Sequence, residues 1–279
     1  MKLLTNNLYV VSTPIGNLDD ITIRALEVLK NSDIILCEDT RRSIKLLSHY
    51  KIKKKLISYH KFNEQKQLAN IIKYSKEGKI LSLVSDAGTP LLSDPGRILV
   101  NECVKNGIKV TPIPGVSSIT ASLSVSGFKD QFLFYGFLPK TQNQLEKVLM
   151  ILSQNKFTQV FFIPSKKLNF YIDNFKKFFS GRKILIAKEI TKIHETFMRE
   201  DINNLKRFKI PVKGELTVVI SEKNSQNKNL DEKKIVNKIK KYLKNYSLKD
   251  TVNLILETEE INKKKVYELC LKVRNEKNS

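Results

Sequence analysis

Ile80-Leu81-Ser82-Leu83-Val84 is an apolar run of strand length, and Ser85-Asp86-Ala87-Gly88-Thr89-Pro90-Leu91-Leu92-Ser93-Asp94-Pro95-Gly96 follows it without a break. A short apolar run bounded by turn residues reads as a strand covered on both faces. The Gly, Pro, Asp and Ser content of the next twelve residues reads as a loop. A loop at the carboxyl end of a parallel strand is where open α/β sheets bind ligands.

The same alternation extends to either side. Strand-like runs stand at 8–11, 33–37, 55–58 and 108–112, and apolar residues spaced by three and four stand at 22–29, 43–49, 63–77 and 96–105. Residues 1–118 therefore read as an N-terminal parallel α/β domain. Residues 119–222 read as a second, mixed α/β domain in which strands dominate, with runs at 132–135, 158–163, 183–187 and 215–220. Residues 223–229 carry no apolar side chain and read as a linker. Three helical stretches follow within 230–279, at 230–243, 248–258 and 262–273, with Ser247 and Asn262 at N-cap positions. The last two are expected to share a core of Val252, Leu254, Ile255, Leu256, Val266, Leu269 and Cys270, with Lys263, Lys264 and Lys265 in the first turn of the final helix, as in a helix-turn-helix.

Composition sets the outer limits. With 41% hydrophobic and 28% charged residues the chain is neither disordered, collagenous nor coiled coil. No apolar run approaches the roughly 18 residues of a membrane span, and the N-terminus enters a strand-like run with no apolar leader. Cys37, Cys103 and Cys270 are far apart and lack CxxC or CxxH neighbours, which excludes a disulfide framework or zinc cluster and points to a reducing cytoplasm. Fifty Lys and Arg against 28 Asp and Glu leave a net charge of +22, a footprint of polyanion binding. The alternative is codon bias, since 42 of the fifty are Lys in a chain also rich in Asn and Ile.

Chemistry concentrates in four loops. Neither GxxxxGK[ST] nor GxGxxG occurs, and Asp86 and Asp94 would repel a phosphate. They suit a positive centre or ribose hydroxyls; the structural alternative is a double turn that opens a helix at Gly96. Ser12 to Asp20, Glu38 to Arg42 and Pro112 to Ser118 follow strands in the same way. Each has a structural reading too. Asp19 or Asp20 reads most simply as a cap for the next helix, Glu38 and Asp39 as first-turn acids, and Ser117 and Ser118 as caps. His49, His60 and His194 lack ligand spacing, so no metal site is expected.

The runs VSTPIGNLDDIT, EDTR, HKFNE, LVSDAGTPLLSDPG and PIPG, with AKEITKIHET and VKGELTVVI further on, resemble the tetrapyrrole methylase family of S-adenosylmethionine-dependent methyltransferases. The likeness covers almost the whole chain. It is most similar to the branch that methylates the ribose 2′-hydroxyl of a cytidine in 16S ribosomal RNA of the small ribosomal subunit. The resemblance implies two α/β domains with the cofactor cleft between them, plus a small C-terminal helical domain. It places S-adenosyl-L-methionine against Pro14, Gly16, Asp86, Ala87, Gly88, Thr89, Pro90, Ser117, Ser118, Phe161, Phe162, Ala187 and Thr217. Asp39 and Glu38 become candidates for taking the hydroxyl proton, beside the alternative that orientation alone suffices. Arg41, Arg42, Lys166, Lys167, Lys263, Lys264 and Lys265 become candidate RNA contacts. A cytoplasmic homodimer is implied.

Two segments depart from the family pattern. Val116 stands where a second Pro is usual after Pro114-Gly115, and Phe162-Ile163-Pro164-Ser165-Lys166-Lys167-Leu168 lacks the usual Glu and His. Two other functions fit a chain of this kind. One is methylation of a tetrapyrrole or other small molecule, which the charge and helical tail disfavour. The other is a non-catalytic RNA-binding assembly factor, which the Asp- and Gly-rich loops disfavour.

Overall fold

The computed structural model describes residues 7–223, 232–259 and 261–275. The chain divides into two units, Met1–Lys223 and Asn224–Ser279.

The first unit holds two sheets. In one, β1 (Leu8–Val11), β2 (Ile34–Cys37), β3 (Lys55–Ser58), β4 (Leu81–Val84) and β5 (Val110–Ile113) lie in the order β3-β2-β4-β1-β5, every pair parallel. Parallel neighbours need crossovers, and α1 (Ile23–Asn31), α2 (Thr40–His49), α3 (Glu64–Lys76) and α4 (Arg97–Lys105) lie in them. Successive strand residues point to opposite faces. Leu36, Leu81 and Leu83 bury against Ile71, Leu99 and Cys103, whereas Tyr9, Ile35 and Cys37 bury against Val28, Leu29 and Leu47. Both faces are covered, which is why these strands are apolar without alternation. Each fully buried Leu or Ile contributes about 1.5–3 kcal/mol.

Local chemistry moves several boundaries. β5 begins at Val110 and contains Pro112 opposite Val10; an edge strand tolerates the missing N–H. α2 starts at Thr40 because Asp39 caps it, its carboxylate accepting from the Arg41 N–H. Neither Asp19 nor Asp20 caps α1. Thr22 does, accepting from the Ala25 N–H at 3.1 Å, while the two aspartates form a 3-10 turn capped by Asn17. Thr is one of the residues that suit an N-cap, so the nearer side chain takes the position. Ser117 occupies the N-cap position of α5 (Ser118–Ser124) but makes no side-chain capping bond.

The second sheet joins β6 (Phe132–Phe137), β7 (Thr158–Pro164), β8 (Lys183–Lys188), β9 (Thr196–Asp201) and β10 (Glu215–Ile220) in the order β6-β7-β10-β8-β9. Only β6 and β7 pair in parallel. One face buries Phe161, Ile186 and Val218 against Leu149 of α6 (Gln142–Gln154) and Tyr171 and Phe175 of α7 (Leu168–Phe178). The other buries Val160, Leu185 and Val219 against Ile119. The helix that starts at the expected domain boundary thus packs on the second sheet, and both sheets belong to one contact unit.

In the second unit α8 (Glu232–Tyr242), α9 (Leu248–Thr258) and α10 (Lys263–Asn275) enclose Ile235, Ile239, Val252, Ile255, Val266, Cys270 and Val273. Leu256 and Leu269 pack at its margin; Leu254 stays outside the cluster. Ser247 caps α9, accepting from the Asp250 N–H at 3.2 Å. Asn262 accepts from the Lys264 N–H at 2.8 Å. The expected linker beyond Lys223 and the connecting Glu260 lie outside the described residues. Among the described residues no helix is long and apolar enough to cross a membrane.

Candidate active site

Because the first sheet is parallel, the loops after β1, β2, β4 and β5 leave the same edge. The backbone stitches them together. Thr13 donates to the Gly88 carbonyl at 2.9 Å and Gly88 returns a bond to the Thr13 carbonyl at 3.0 Å. Gly88 sits at φ +78°, a conformation that a side chain would strain. The Thr89 hydroxyl donates to the Val116 carbonyl at 3.2 Å and lies 3.0 Å from the Ser12 hydroxyl. Asp86 joins the β4 loop to the β2 loop, accepting from the Asp39 N–H at 3.1 Å and pairing with Arg42 at 3.3 Å. Leu91 and Ser93 adopt φ +72° and +74°. Left-handed backbone at non-glycine residues costs of order 1–3 kcal/mol and collects at functional sites.

These loops wall one side of a cavity of about 390 Å³, within the roughly 300–1,000 Å³ of small-molecule sites. From the β4 loop come Asp86, Ala87, Gly88, Thr89, Leu92 and Asp94; from the β2 loop, Glu38; and from the first turn of α2, Arg42. Ser117, Ser118 and Ile119 enter from the start of α5. The second sheet closes the other side with Phe137, Phe162, Pro164, Leu216 and Thr217. Among the described residues no group of three or more His, Cys, Asp or Glu is placed to hold a metal ion.

The carboxylates differ sharply. Burial, and then the nearby Glu38 and Asp86 carboxylates, push Asp94 up to about 6 despite a hydrogen bond from Ser85. Burial and Asp86 also raise Glu38, against opposition from His60 and Arg42. Asp39 moves the other way, to about 2, because the Arg41 side chain and backbone both donate to it. Arg41 Nη2 stands 2.7 Å from Asp39 Oδ2, and Nε 3.1 Å from Oδ1. Asp94 therefore lines the cavity as a weak acid suited to accepting a proton near neutral pH, with Glu38 raised beside it, while Asp39 is a half-buried anion already held by a cation.

Among the residues singled out from sequence, the cavity gathers Glu38, Arg42, Asp86, Ala87, Gly88, Thr89, Ser117, Ser118, Phe162 and Thr217. Asp39, Pro14, Gly16, Pro90, Phe161 and Ala187 fall outside its lining. Gly16 answers to close packing instead: a Cβ there would stand 2.8 Å from Thr191 Oγ1. Phe161 is buried beside Phe175, on the face of β7 opposite Phe162. Ala187 is buried opposite Thr217 in the β8–β10 pair. Arg41 is spent on Asp39. Lys166 and Lys167 follow the cavity residue Pro164 in a 3-10 turn, where Lys167 donates to the Lys140 carbonyl at 3.1 Å. Lys263, Lys264 and Lys265 are exposed on the first turn of α10, in the second unit.

Asp94 and the cavity residues Ile190 and Gly214 were not among the site residues read from sequence. Asp94 had a signal, the second acid of an Asp- and Gly-rich loop, which a turn function explained equally well. Ile190 and Gly214 had none, because they reach the site only through the pairing of β8 with β10.

The family described as Tetrapyrrole (Corrin/Porphyrin) Methylases matches residues 7–206. The chain belongs to that family. Among curated methylase relatives, the "Ribosomal RNA small subunit methyltransferase I" of Mesomycoplasma conjunctivae is 44% identical over 81% of this chain and 96% of its own length. The protein of the same name from Buchnera aphidicola is 39% identical over 95% of this chain and 96% of its own length. Among solved structures, uroporphyrin-III C-methyltransferase from Thermus thermophilus, complexed with S-adenosylhomocysteine, superposes with a TM-score of 0.56 at 16% identity, covering 77% of this chain and 97% of its own. That likeness is one of fold.

Proposed function

We propose that this methylase uses S-adenosylmethionine to methylate the ribose 2′-hydroxyl of a cytidine in 16S ribosomal RNA, acting on the small ribosomal subunit. One observation carries the reading: the cavity is acidic in a chain of net charge +22. Glu38, Asp86, Asp94 and Glu215 stand there against the single cation Arg42 among the lining side chains. A pocket for a cation inside a surface for a polyanion is what this reaction needs. The cofactor's sulfonium and amino groups are positive, and its adenosine part is matched by the apolar Ile119, Phe162 and Leu216 beside Thr89 and Ser117. The names of the curated relatives support the RNA substrate.

When bound, the cofactor supplies an electrophilic methyl group on positively charged sulfur. The chain has the rest to do. Asp94, or Glu38 through their shared field, accepts the proton of the ribose hydroxyl as the oxygen attacks. The two-bond bridge and the Thr89–Val116 contact fix the loop that orients the methyl group. Buried Ile119 and half-buried Phe162 exclude water around it. Arg42, tied to Asp86, stands at the wall to meet a phosphate. The same reading puts the enzyme in the cytoplasm with its ribosomes. A homodimer is part of the proposal, and edge strand β6 offers the exposed Phe132 to it.

The test is transfer of labelled methyl groups to purified small subunits, followed by mass spectrometry of the 16S nucleosides. The expected product is one 2′-O-methylcytidine. Label on a base, or none in RNA, overturns the reading.

A further inference from the structure

The segment Tyr59-His60-Lys61-Phe62-Asn63-Glu64 joins β3 to α3 at the same sheet edge as the cavity loops. Its neighbour across the sheet is the β2 end that carries Glu38, with Cys37 opposite Ser58. His60 lies close enough to Glu38 to act on its titration. Nothing in the reaction above uses this segment.

Phe62 is 90% exposed, more than any other aromatic side chain among the described residues. The loop that presents it is tightly held. Asn63 gives up a capping bond to α3 and turns backward. Its Oδ1 accepts from the His60 N–H at 2.8 Å and its Nδ2 donates to the Ser58 carbonyl at 2.9 Å. The Phe62 N–H donates to His60 Nδ1 at 3.2 Å. Tyr59 anchors the turn below with no exposed surface, its hydroxyl 3.5 Å from Glu64. A phenyl ring left in water gains nothing for folding, since the hydrophobic contribution comes from surface removed from water. Exposed Lys61 stands beside it in the chain. An aromatic face held out in water beside a cation is the combination that binds unpaired nucleotides, the ring stacking on a base and the cation meeting a phosphate.

We propose that Phe62 is the stacking platform for an unpaired base of the RNA substrate, next to the nucleotide whose ribose enters the cavity, with Lys61 on the adjoining phosphate. This inference rests on the proposed RNA substrate and adds how that substrate is held. An apolar protein surface is the other partner an exposed Phe could take, and the experiment separates the two.

Phe62→Ala, Phe62→Leu and Phe62→Trp are assayed in the full chain. The readouts are KM and kcat for small subunits, cofactor affinity, melting temperature, and binding of a short fluorescent single-stranded RNA. Base stacking predicts that Ala and Leu both raise KM and weaken RNA binding by about 5- to 100-fold, and that Trp restores them. Cofactor affinity and melting temperature stay unchanged, because the ring touches neither pocket nor core. Full function in the Leu variant means apolar docking and overturns the proposal, as does wild-type RNA binding by the Ala variant or a lowered melting temperature. The RNA-binding arm needs no methyl transfer. If the wild-type protein methylates no RNA, the reaction assignment fails by that result, and stacking is judged on binding alone.

Discussion

The loops after β2 and β4 lie side by side at one sheet edge, each with an acidic pair, yet their carboxylates behave in opposite ways. In the β2 loop Arg41 closes on Asp39 from two residues away, and the carboxyl is held down at about 2. In the β4 loop no cation reaches Asp94; burial and Glu38 raise it to about 6. Residue type is the same, and both follow a buried parallel strand. What differs is water and the nearest charge, and those decide which carboxylate can take a proton.

The largest expected effect comes from removing the unusual acid. Asp94→Asn is expected to lower the methyl-transfer rate by about 10²- to 10⁴-fold, far more than it lowers cofactor affinity. The wild-type rate is expected to climb as pH rises through about 6, when Asp94 loses its proton, and the variant to lack that limb. Stability runs the other way. A carboxyl raised in the folded state costs nothing below its unfolded range near 4, and its cost is complete above about 6. Asp94→Asn is therefore expected to raise the melting temperature above pH 6 and not below pH 4. A pH–rate profile that keeps its acid limb in the variant moves the base to Glu38.

Asp86 holds the two loops together, so its removal tests the comparison at the hinge. Asp86→Ala strands the Asp39 N–H and frees Arg42 from its 3.3 Å pairing. Losing such a half-buried partner costs about 1–3 kcal/mol, or roughly 5- to 150-fold in cofactor affinity by calorimetry. Unchanged affinity in a folded variant would falsify the placement of the cofactor against this loop.

These contrasts also mark what the sequence could reveal. The parallel sheet was legible because strands buried on both faces are continuous apolar runs bounded by Gly and Pro. β9 was not, because Thr-Phe-Met-Arg-Glu-Asp is an edge strand with most of its side chains in solvent and reads as loop. Asp86 and Thr89 were legible as members of a dense motif. The titration order of Asp39 and Asp94 was not, since it depends on where Arg41 folds back and on burial that spacing does not encode. The tail helices were legible from their caps, Ser247 and Asn262, and from three- and four-residue spacing. The contribution of α8 to their core, through Ile235 and Ile239, needed the structure.

A smaller effect is expected from the tail. Lys263→Ala, Lys264→Ala and Lys265→Ala together remove three exposed cations from the first turn of α10, where cations oppose the helix dipole. Binding to the small subunit is expected to weaken by about 10-fold at physiological salt. The slope of log affinity against log salt is expected to flatten by up to about three. Cofactor affinity should not move. An unaltered slope returns RNA binding to the first unit.

The smallest effect is assigned to the carboxylate that the sequence ranked first. Asp39→Asn keeps an acceptor for the Arg41 N–H, because Asn serves an N-cap about as well as Asp. It removes the charge that fixes the Arg41 side chain, on a solvent-facing pair of a kind that contributes little. The methylation rate is therefore expected to stay within about 2-fold of wild type, against the 10²-fold or greater loss in Asp94→Asn. Acid unfolding supplies a second reading with the opposite sign to Asp94. A carboxyl lowered in the folded state adds stability above its ordinary range near 4, and that contribution disappears as pH falls to about 2. The variant should lose only this acid-side feature and keep the pH–rate limb near 6. A rate loss comparable with that of Asp94→Asn would mean that Arg41 releases Asp39 when RNA binds, making the β2 loop rather than the β4 loop the source of the proton acceptor.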